Sequence, residues 1–386
     1  MSYSLTADRG PSSITNSRAV IKADNPWRPS ASDKESSLYI AWLANNDLTY
    51  EKKHELNFGI DAGFLNNRIN FTFDIYTRRN YDLIGATNTM GIGGEPTKYG
   101  NVAKMKSNGV ELSLNTVNIK TKDFTWTTDF IYSHMHNEVT ELNTYNRLYD
   151  YISGYGFTMP GYPQRSLFSI PFAGLNNEGL PTFYDPDGNI TVTGIDMQEY
   201  DPERLKFLKY EGPADPTDVG SLGNIFRYKN LTLNLFITYS FGNVVRLDPV
   251  FSSEYSDLSA TPKEFNNRWI KPGDEKFTNI PVIASRQQLN NLAYLSRAYQ
   301  SYNYSTARVA KGDFIRMKEI SLAYEFPKTL TQPLHLSNLS LKLQATNLFL
   351  LYADKKLNGQ DPEFFNAGGV ATPMPKQFTL TLKFGI

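Results

Sequence analysis

The sequence contains no cysteine, no long apolar run and no surplus of either charge. Without cysteine among its 386 residues, the chain can form neither disulfides nor thiolate metal sites. Its 39 basic and 39 acidic residues balance, so nothing indicates a nucleic-acid partner. No run of about 18 apolar residues occurs, which excludes a transmembrane helix. A transmembrane β-barrel is still compatible with the sequence, because its strands are only half apolar.

The first residues also lack the features of a leader. Residues 1–6 carry neither a basic stretch nor an apolar stretch, so the sequence predicts no signal peptide. Tyr3 and Leu5 instead alternate with small polar residues, which is typical of a strand.

Aromatic residues are abundant, and many alternate with polar ones. The chain has 24 Tyr, 24 Phe and 4 Trp. In 55–64, residues Leu56, Phe58 and Ile60 share one face, and polar residues or glycine share the other. An Asn-rich turn at 65–68 follows, and the alternation then restarts in 69–76. This pattern predicts a long antiparallel hairpin.

The same design recurs along the whole chain. Further hairpins are predicted over 101–118 and 123–141, 220–229 and 231–246, and 306–326 and 338–352, with a final strand at 376–386. These strands reach roughly 10–18 residues, whereas soluble strands usually have about 5–6 and membrane strands need about 9–11. Short turns also alternate with long connections, as in outer-membrane barrels.

With one further hairpin near 165–175 and 180–186, the pattern predicts an all-β, antiparallel transmembrane β-barrel of about twelve strands with long extracellular loops. From the alternation alone, half-buried sheet in a soluble all-β protein stays open. A helix is predicted only within a loop, at 282–298.

Few residues suggest chemistry. His134 and His136 share one strand face but have no further ligand nearby in the sequence. The stretch 185–189 (DPDGN) departs from the calcium-loop spacing and favours a turn, and Gly91 to Gly94 open no helix and therefore no phosphate site. No catalytic motif is present. We therefore expect no metal, no cofactor and no enzymatic activity.

Tyrosines crowd two of the long loops. Aromatic faces with polar tips suit sugar or peptide ligands, and equally suit a membrane interface. The candidates for substrate contact are Tyr149, Tyr151, Tyr155, Trp269 and Tyr302.

Several short motifs follow one another over nearly the whole chain. They are YSLTADRG at 3–10, TYEKKHELNFGID at 49–61, FLNNR at 64–68, DIY at 74–76, DLI at 82–84, GNV at 100–102, NGVEL at 108–112, NRW at 267–269, GDFIRMK at 312–318, ATNLF at 345–349 and DPE at 361–363. None is specific alone, but in this order and spacing they resemble the C-terminal half of SusC/RagA-type TonB-dependent transporters of the Bacteroidetes.

The resemblance implies that residues 1–386 form the C-terminal part of a TonB-dependent receptor barrel, about 12 of 22 strands, in the cell outer membrane. It implies import of oligosaccharides or peptides with a SusD-like lipoprotein, driven by the TonB complex. The signal peptide, TonB box and plug domain of the family are expected to be absent from this chain.

The terminal strand resembles the membrane-insertion signal of outer-membrane proteins. Its lipid-facing members would be Phe378, Leu380, Leu382, Phe384 and Ile386. Two other interpretations stay open: a self-contained 12-stranded porin or adhesin, and a soluble all-β carbohydrate-binding or hydrolytic protein. A ring of outward apolar residues about 25 Å tall would exclude the soluble protein.

Overall fold

The structure is a computed structural model of the 386-residue chain. It describes residues 1–10, 18–24, 37–88, 97–143, 146–154, 156–250, 263–285, 294–364 and 375–386. Gly91 to Gly94 and Tyr155 lie outside the described residues.

Strands account for most of the described chain. They are β1 Ser2–Asp8, β2 Val20–Asp24, β3 Ser37–Trp42, β4 Glu51–Phe64, β5 Ile69–Asn88, β6 Thr97–Lys120, β7 Phe124–Leu142, β8 Ser166–Ser169, β9 Phe172–Leu175, β10 Pro181–Tyr184, β11 Ile190–Thr191, β12 Lys209–Pro213, β13 Asp218–Tyr228, β14 Leu231–Phe241, β15 Val244–Arg246, β16 Val309–Lys311, β17 Phe314–Glu325, β18 Asn338–Ala353 and β19 Gln377–Gly385.

Helices are short and lie between strands. The α-helices are α1 Leu148–Ile152, α2 Pro202–Leu205, α3 Leu295–Asn303 and α4 Lys328–Thr331. Single 3₁₀ turns cover Lys263–Asn267, Asp274–Lys276, Thr306–Arg308, Gln332–Leu334, Lys355–Leu357 and Pro362–Phe364. Of the helices in the described part of the chain, none has the length and hydropathy to span a bilayer.

Ten strands form one antiparallel sheet in the order β1-β4-β5-β6-β7-β13-β14-β17-β18-β19. The prediction of an all-β, antiparallel architecture is confirmed. The ten strands lie in the sheet in the order in which they occur in the chain, so each inner strand pairs with the preceding and the following strand of this sheet. The Asn-rich turn forms as predicted: Leu65, Asn66 and Asn67 all adopt positive φ, at 54°, 55° and 59°. Asn tolerates this left-handed conformation well, which explains its use there.

The sheet has two unlike faces, as the alternation predicts. The register aligns Ile60 with Phe73 and Phe73 with Leu112, so apolar side chains form rows across strands. We call this side the apolar face, and its large side chains are half-buried or exposed; Phe58 is 47 % exposed and Leu380 is 68 % exposed. The opposite side, the polar face, carries the residues of the sheet that are buried. They include Tyr76, Ser107, Val139, Ser240, Arg316 and Ser321.

Two predictions about the connections differ from the structure. The segment 165–186 does not add a hairpin to the large sheet, which has ten strands among the described residues where about twelve were predicted. Its strands instead form small sheets, β8 with β12 and β9 with β10 and β11. They have two to five residues each, and β8 and β10 are mostly buried because they pack within the loops. Of the predicted helix at 282–298, residues 282–285 are not helical, 286–293 lie outside the described residues, and 295–298 belong to the helix Leu295–Asn303.

The long connections form a second packed body, which we call the loop layer. It comprises the described residues of 146–217 and 242–313, and it lies at the sheet end from which these connections emerge. Backbone bonds tie it to β7, where Val139 N donates to Tyr162 O at 2.9 Å and Gly161 N donates to Val139 O at 2.8 Å. The loop layer is therefore anchored to the sheet and is not a set of independent loops.

Candidate functional site

The loop layer has an apolar core of its own. Core residues come from the small sheets, from α1 and from α3, so segments more than 100 residues apart pack together. Their burial supplies the free energy that orders long connections, at about 25 cal/mol per Å² of apolar surface. The buried members are Leu148, Ile152, Phe168, Ile170, Leu180, Phe183, Ile195, Met197, Leu205, Val250, Ala284, Leu295, Ala298, Tyr299 and Tyr302.

The predicted contact residues occupy different environments within this layer. Tyr149 and Tyr151 are half-buried and pack against the core, which leaves part of each ring accessible. The Tyr149 ring meets the Tyr304 ring edge-on, with centroids 5.8 Å apart, and Tyr151 meets Phe157 at 5.0 Å. Ligand contact stays a prediction for this pair of tyrosines, and Tyr155 lies outside the described residues.

Trp269 and Tyr302 are core residues instead. Trp269 is 8 % exposed, and its indole N–H donates to Glu275 Oε2 at 3.0 Å. Gly179, at φ +76°, lies against the indole ring so closely that a Cβ there would overlap it. Tyr302 is 1 % exposed, and burial raises the pKa of its hydroxyl to about 12. In this structure neither ring presents a face to a ligand, so the two residues act by packing the loop layer.

Two arginines, Arg246 and Arg308, hold segments of the loop layer together, and a third, Arg316, lies outside this layer in β17; the sequence analysis did not identify them. Arg246 donates to Phe168 O at 2.5 Å and to Ser169 Oγ at 3.2 Å, and burial lowers its pKa to about 10. At neutral pH it is therefore charged. Arg308 forms an ion pair at 2.6 Å with Glu264, which lies in the 3₁₀ turn Lys263–Asn267. These bonds link segments that are 44–78 residues apart, so the sequence carried no local signal for them.

The third arginine joins two of the sequence motifs. Arg316, in the stretch 312–318, forms an ion pair with Asp361 of the stretch 361–363. Its Nε also lies 3.2 Å from Glu363 Oε2. Arg316 is 5 % exposed, and a buried guanidinium needs such partners because desolvation of an unpaired charge is costly. Both motifs carried the resemblance, but their pairing is visible only in three dimensions.

A cavity of about 630 Å³ lies between the sheet and the loop layer. It is bordered by the ends of β5, β6 and β7 and by the segment around α1. Met105 and Val139 oppose each other in the register of β6 and β7, on the polar face, and contribute to its floor. Such a volume lies within the usual range of about 300–1,000 Å³ for small-molecule sites.

Two of the residues weighed as metal ligands, His134 and Asp185, have other partners. His134 Nδ1 lies 2.8 Å from Asp218 Oδ1, on neighbouring strands. Asp185 Oδ1 accepts hydrogen bonds from the backbone N–H groups of Asp187 and Asn189 at 2.9 and 2.8 Å, which is the predicted turn. In the described ranges, no three His, Asp or Glu side chains gather as metal ligands would.

Comparisons with known proteins agree with the fold and with the motifs. No family model matches the chain. The TonB-dependent receptor P39 of Formosa agariphila is 26 % identical over 373 residues, covering 86 % of this chain and 34 % of that receptor. The TonB-dependent receptor SusC of Bacteroides thetaiotaomicron is 28 % identical over 355 residues, covering 88 % of this chain and 32 % of SusC. The chain thus spans about a third of the length of these curated relatives.

Solved structures show the same fold. The RagAB peptide transporter matches with a TM-score of 0.75 at 23 % identity, over 99 % of this chain and 40 % of that one. The RagAB peptide importer in its open-open state matches with a TM-score of 0.74 over 100 % of this chain. The predicted resemblance to SusC/RagA-type TonB-dependent transporters is confirmed. The relatives are named as receptors and transporters and not as enzymes, as the sequence predicted for this chain.

Proposed function

We propose that this chain is the barrel portion of a TonB-dependent transporter that imports nutrients, oligosaccharides or peptides, across the bacterial outer membrane. Residues 1–386 would then be a C-terminal part of the transporter barrel. The observation that carries the proposal is the exposed apolar face of the ten-stranded sheet.

This face is continuous from strand to strand. In one row Leu233 pairs with Leu322, Leu322 with Leu343, and Leu343 with Leu380. The last three are 42 %, 54 % and 68 % exposed. Monomeric soluble proteins rarely expose apolar patches larger than a few hundred Å², whereas a barrel covers such a band with lipid. The arrangement therefore favours the membrane barrel over the soluble carbohydrate-binding alternative.

The names of the relatives support the choice of energy source and partner. The curated relatives are called TonB-dependent receptors, and the matching structures are of RagAB. We extend this to a coupling of the whole protein to the TonB complex and to a SusD-like lipoprotein over the loop layer. The packed, anchored loop layer is a surface of the kind that such a partner requires, because its shape is fixed before binding.

The test combines location with uptake. The full-length protein should fractionate with outer membranes and migrate faster on gels when unheated than when boiled. A strain that lacks the gene should lose growth on the imported oligosaccharide or peptide mixture, and an uncoupler of the proton gradient should abolish uptake by the parent strain. A soluble location, or uptake unaffected by both the deletion and the uncoupler, would refute the proposal.

A further inference from the structure

The cavity between the sheet and the loop layer has an apolar floor and a charged rim. Residues from the three strand ends line the floor, and one ring from the loop layer closes a side. The apolar lining residues include Leu83, Ala86, Ala103, Met105, Val139 and Phe157. Such a floor accepts an aliphatic or aromatic group, with about 25 cal/mol gained per Å² of apolar surface removed from water.

The rim carries one cation and one anion side by side. Arg147 Nη2 lies 3.1 Å from Asp150 Oδ1, and Asp150 Oδ2 accepts a hydrogen bond from the backbone N–H of Arg147 at 2.8 Å. Both side chains are about one-third exposed, at 37 % and 29 %. The first residue of α1 follows Arg147 directly, so the pair is fixed by the start of a helix that itself packs into the buried core.

The pair keeps capacity for a ligand. A guanidinium has five N–H donors. The bonds that Arg147 makes within the described residues, to Asp150 and to Gln198 Oε1 at 3.3 Å, use three of them. A carboxylate accepts about four hydrogen bonds, and Asp150 accepts three from Arg147, so about one acceptor position is left. The other cation of the lining, Lys104, pairs with Glu141 at 2.8 Å and contributes no net charge.

Balanced charge beside an apolar floor selects a particular ligand chemistry. A simple anion placed at Arg147 would be repelled by Asp150, and a simple cation at Asp150 would be repelled by Arg147. A zwitterion satisfies both, with its carboxylate at the guanidinium and its ammonium at the carboxylate. Sugar sites depend on stacking against aromatic faces, and among the described residues that line the cavity only Phe157 and Tyr200 are aromatic.

We propose that this cavity binds a zwitterionic amino acid or short peptide through an apolar side chain held on the floor between β5, β6 and β7. The inference deepens the proposed function, on which it rests for the supply of such a ligand, by assigning a peptide-type subsite to the sheet end. Binding itself requires only the folded protein.

The test measures binding by calorimetry with the full-length protein in detergent, and the probe is trileucine. N-acetyl-trileucine amide removes both terminal charges at nearly constant size, and maltotriose represents sugars. Trileucine should bind at least about tenfold more tightly than either, since a charge-assisted hydrogen bond contributes about one to two powers of ten. Equal affinity for the capped and free peptides, or no binding of trileucine, would overturn the proposal.

Variants locate the site. Arg147→Gln and Asp150→Asn should each weaken trileucine binding about tenfold, and Ala86→Trp should abolish it by filling the cavity from an exposed lining position. Arg204→Gln removes an ion pair of the same loop layer outside the cavity and should leave affinity within about twofold. Heat-modifiable migration establishes that each variant is folded. Normal binding by folded Ala86→Trp and by both charge variants would refute the assignment.

The outcomes separate the two proposals. One outcome is that trileucine binds the purified protein and the variants weaken this binding, while peptide uptake by cells does not depend on the gene. This outcome would refute the transport function and leave the cavity assignment intact. Gene-dependent uptake together with variants that bind normally would refute the cavity assignment alone.

Discussion

A single arginine placed at different depths of the last strand tests whether the apolar face meets lipid. Leu380 is the fourth of nine residues in β19, and Phe384 is the eighth. Four residues span about 13 Å along a strand, or about 9 Å of depth at a tilt of 45°. Leu380 therefore lies near the middle of the apolar band, and Phe384 lies near its edge.

The expected cost follows from that depth. An arginine on the lipid face destabilises a barrel by about 2–4 kcal/mol at the midplane and by about 0–1 kcal/mol near the interface. We expect Leu380→Arg to lower the free energy of unfolding by about 3 kcal/mol and Phe384→Arg by about 1 kcal/mol or less. Thr379→Arg is the matched control, because Thr379 lies on the same strand but on the polar face, opposite Gln344.

The assay is reversible unfolding of the full-length protein in phospholipid bilayers with a denaturant, followed by gel migration without heating. Surface levels in cells provide a second readout, since Phe378, Leu380, Leu382, Phe384 and Ile386 are also the predicted insertion signal. Equal costs at all three positions, or a Thr379→Arg cost as large as that of Leu380→Arg, would refute the assignment of this face to lipid.

Three further predictions concern the loop layer. Glu264→Gln should destabilise the loop layer by about 3–5 kcal/mol, because the charge of buried Arg308 loses its partner. Limited proteolysis should then cut the variant at 263–285, and a cleavage pattern unchanged from the parent protein would contradict this prediction. Burial raises the pKa of the Tyr302 hydroxyl from 10 to about 12, so its contribution to the free energy of unfolding is present below pH 10 and is lost as the pH rises toward 12. Tyr302→Phe should therefore reduce the loss of stability at alkaline pH, measured by denaturation at a series of pH values. An unaltered pH profile would contradict this prediction. Gly179→Ala should lower the free energy of unfolding by more than about 1 kcal/mol and change tryptophan fluorescence, because the φ of +76° and the adjacent Trp269 ring both disfavour a Cβ at this position. Unchanged stability and unchanged emission would contradict this prediction.

The sheet could be predicted because its signal is local. Alternation with a period of two appears within ten residues, as in Leu56 to Phe64, and the strands formed there as expected. The turn at 65–68 was equally accessible, since Asn tolerates positive φ. The strands extended beyond their predicted ends, most of all β5, which continues to Asn88 past the clear alternation of 69–76.

The loop layer could not be predicted because its contacts are distant in sequence. The hairpin expected at 165–186 has strand-like residues, but its hydrogen-bond partner for β8 is β12, about 40 residues further on. Trp269 and Tyr302 are of the residue types that often contact ligands. Only the packing of Trp269 against Gly179 and of Tyr302 within the core shows that they are buried. Isolated arginines are ordinarily exposed, so Arg308 gave no sign of its pairing with Glu264.

The strictly sequential strand order has a consequence for the order of assembly. The turn at 65–68 closes four residues, whereas the connections between β7 and β13 and between β14 and β17 span about 75 and 72 residues. Loop-closure entropy grows by about 0.6 kcal/mol per doubling of length, so each long closure costs roughly 2.5 kcal/mol more than the turn. Neighbouring strands joined by short turns should therefore pair first. The groups of strands separated by the two long connections should pack against one another later. The loop layer is made from the two long connections, so its core and the cavity beneath it should be completed only by that last docking step.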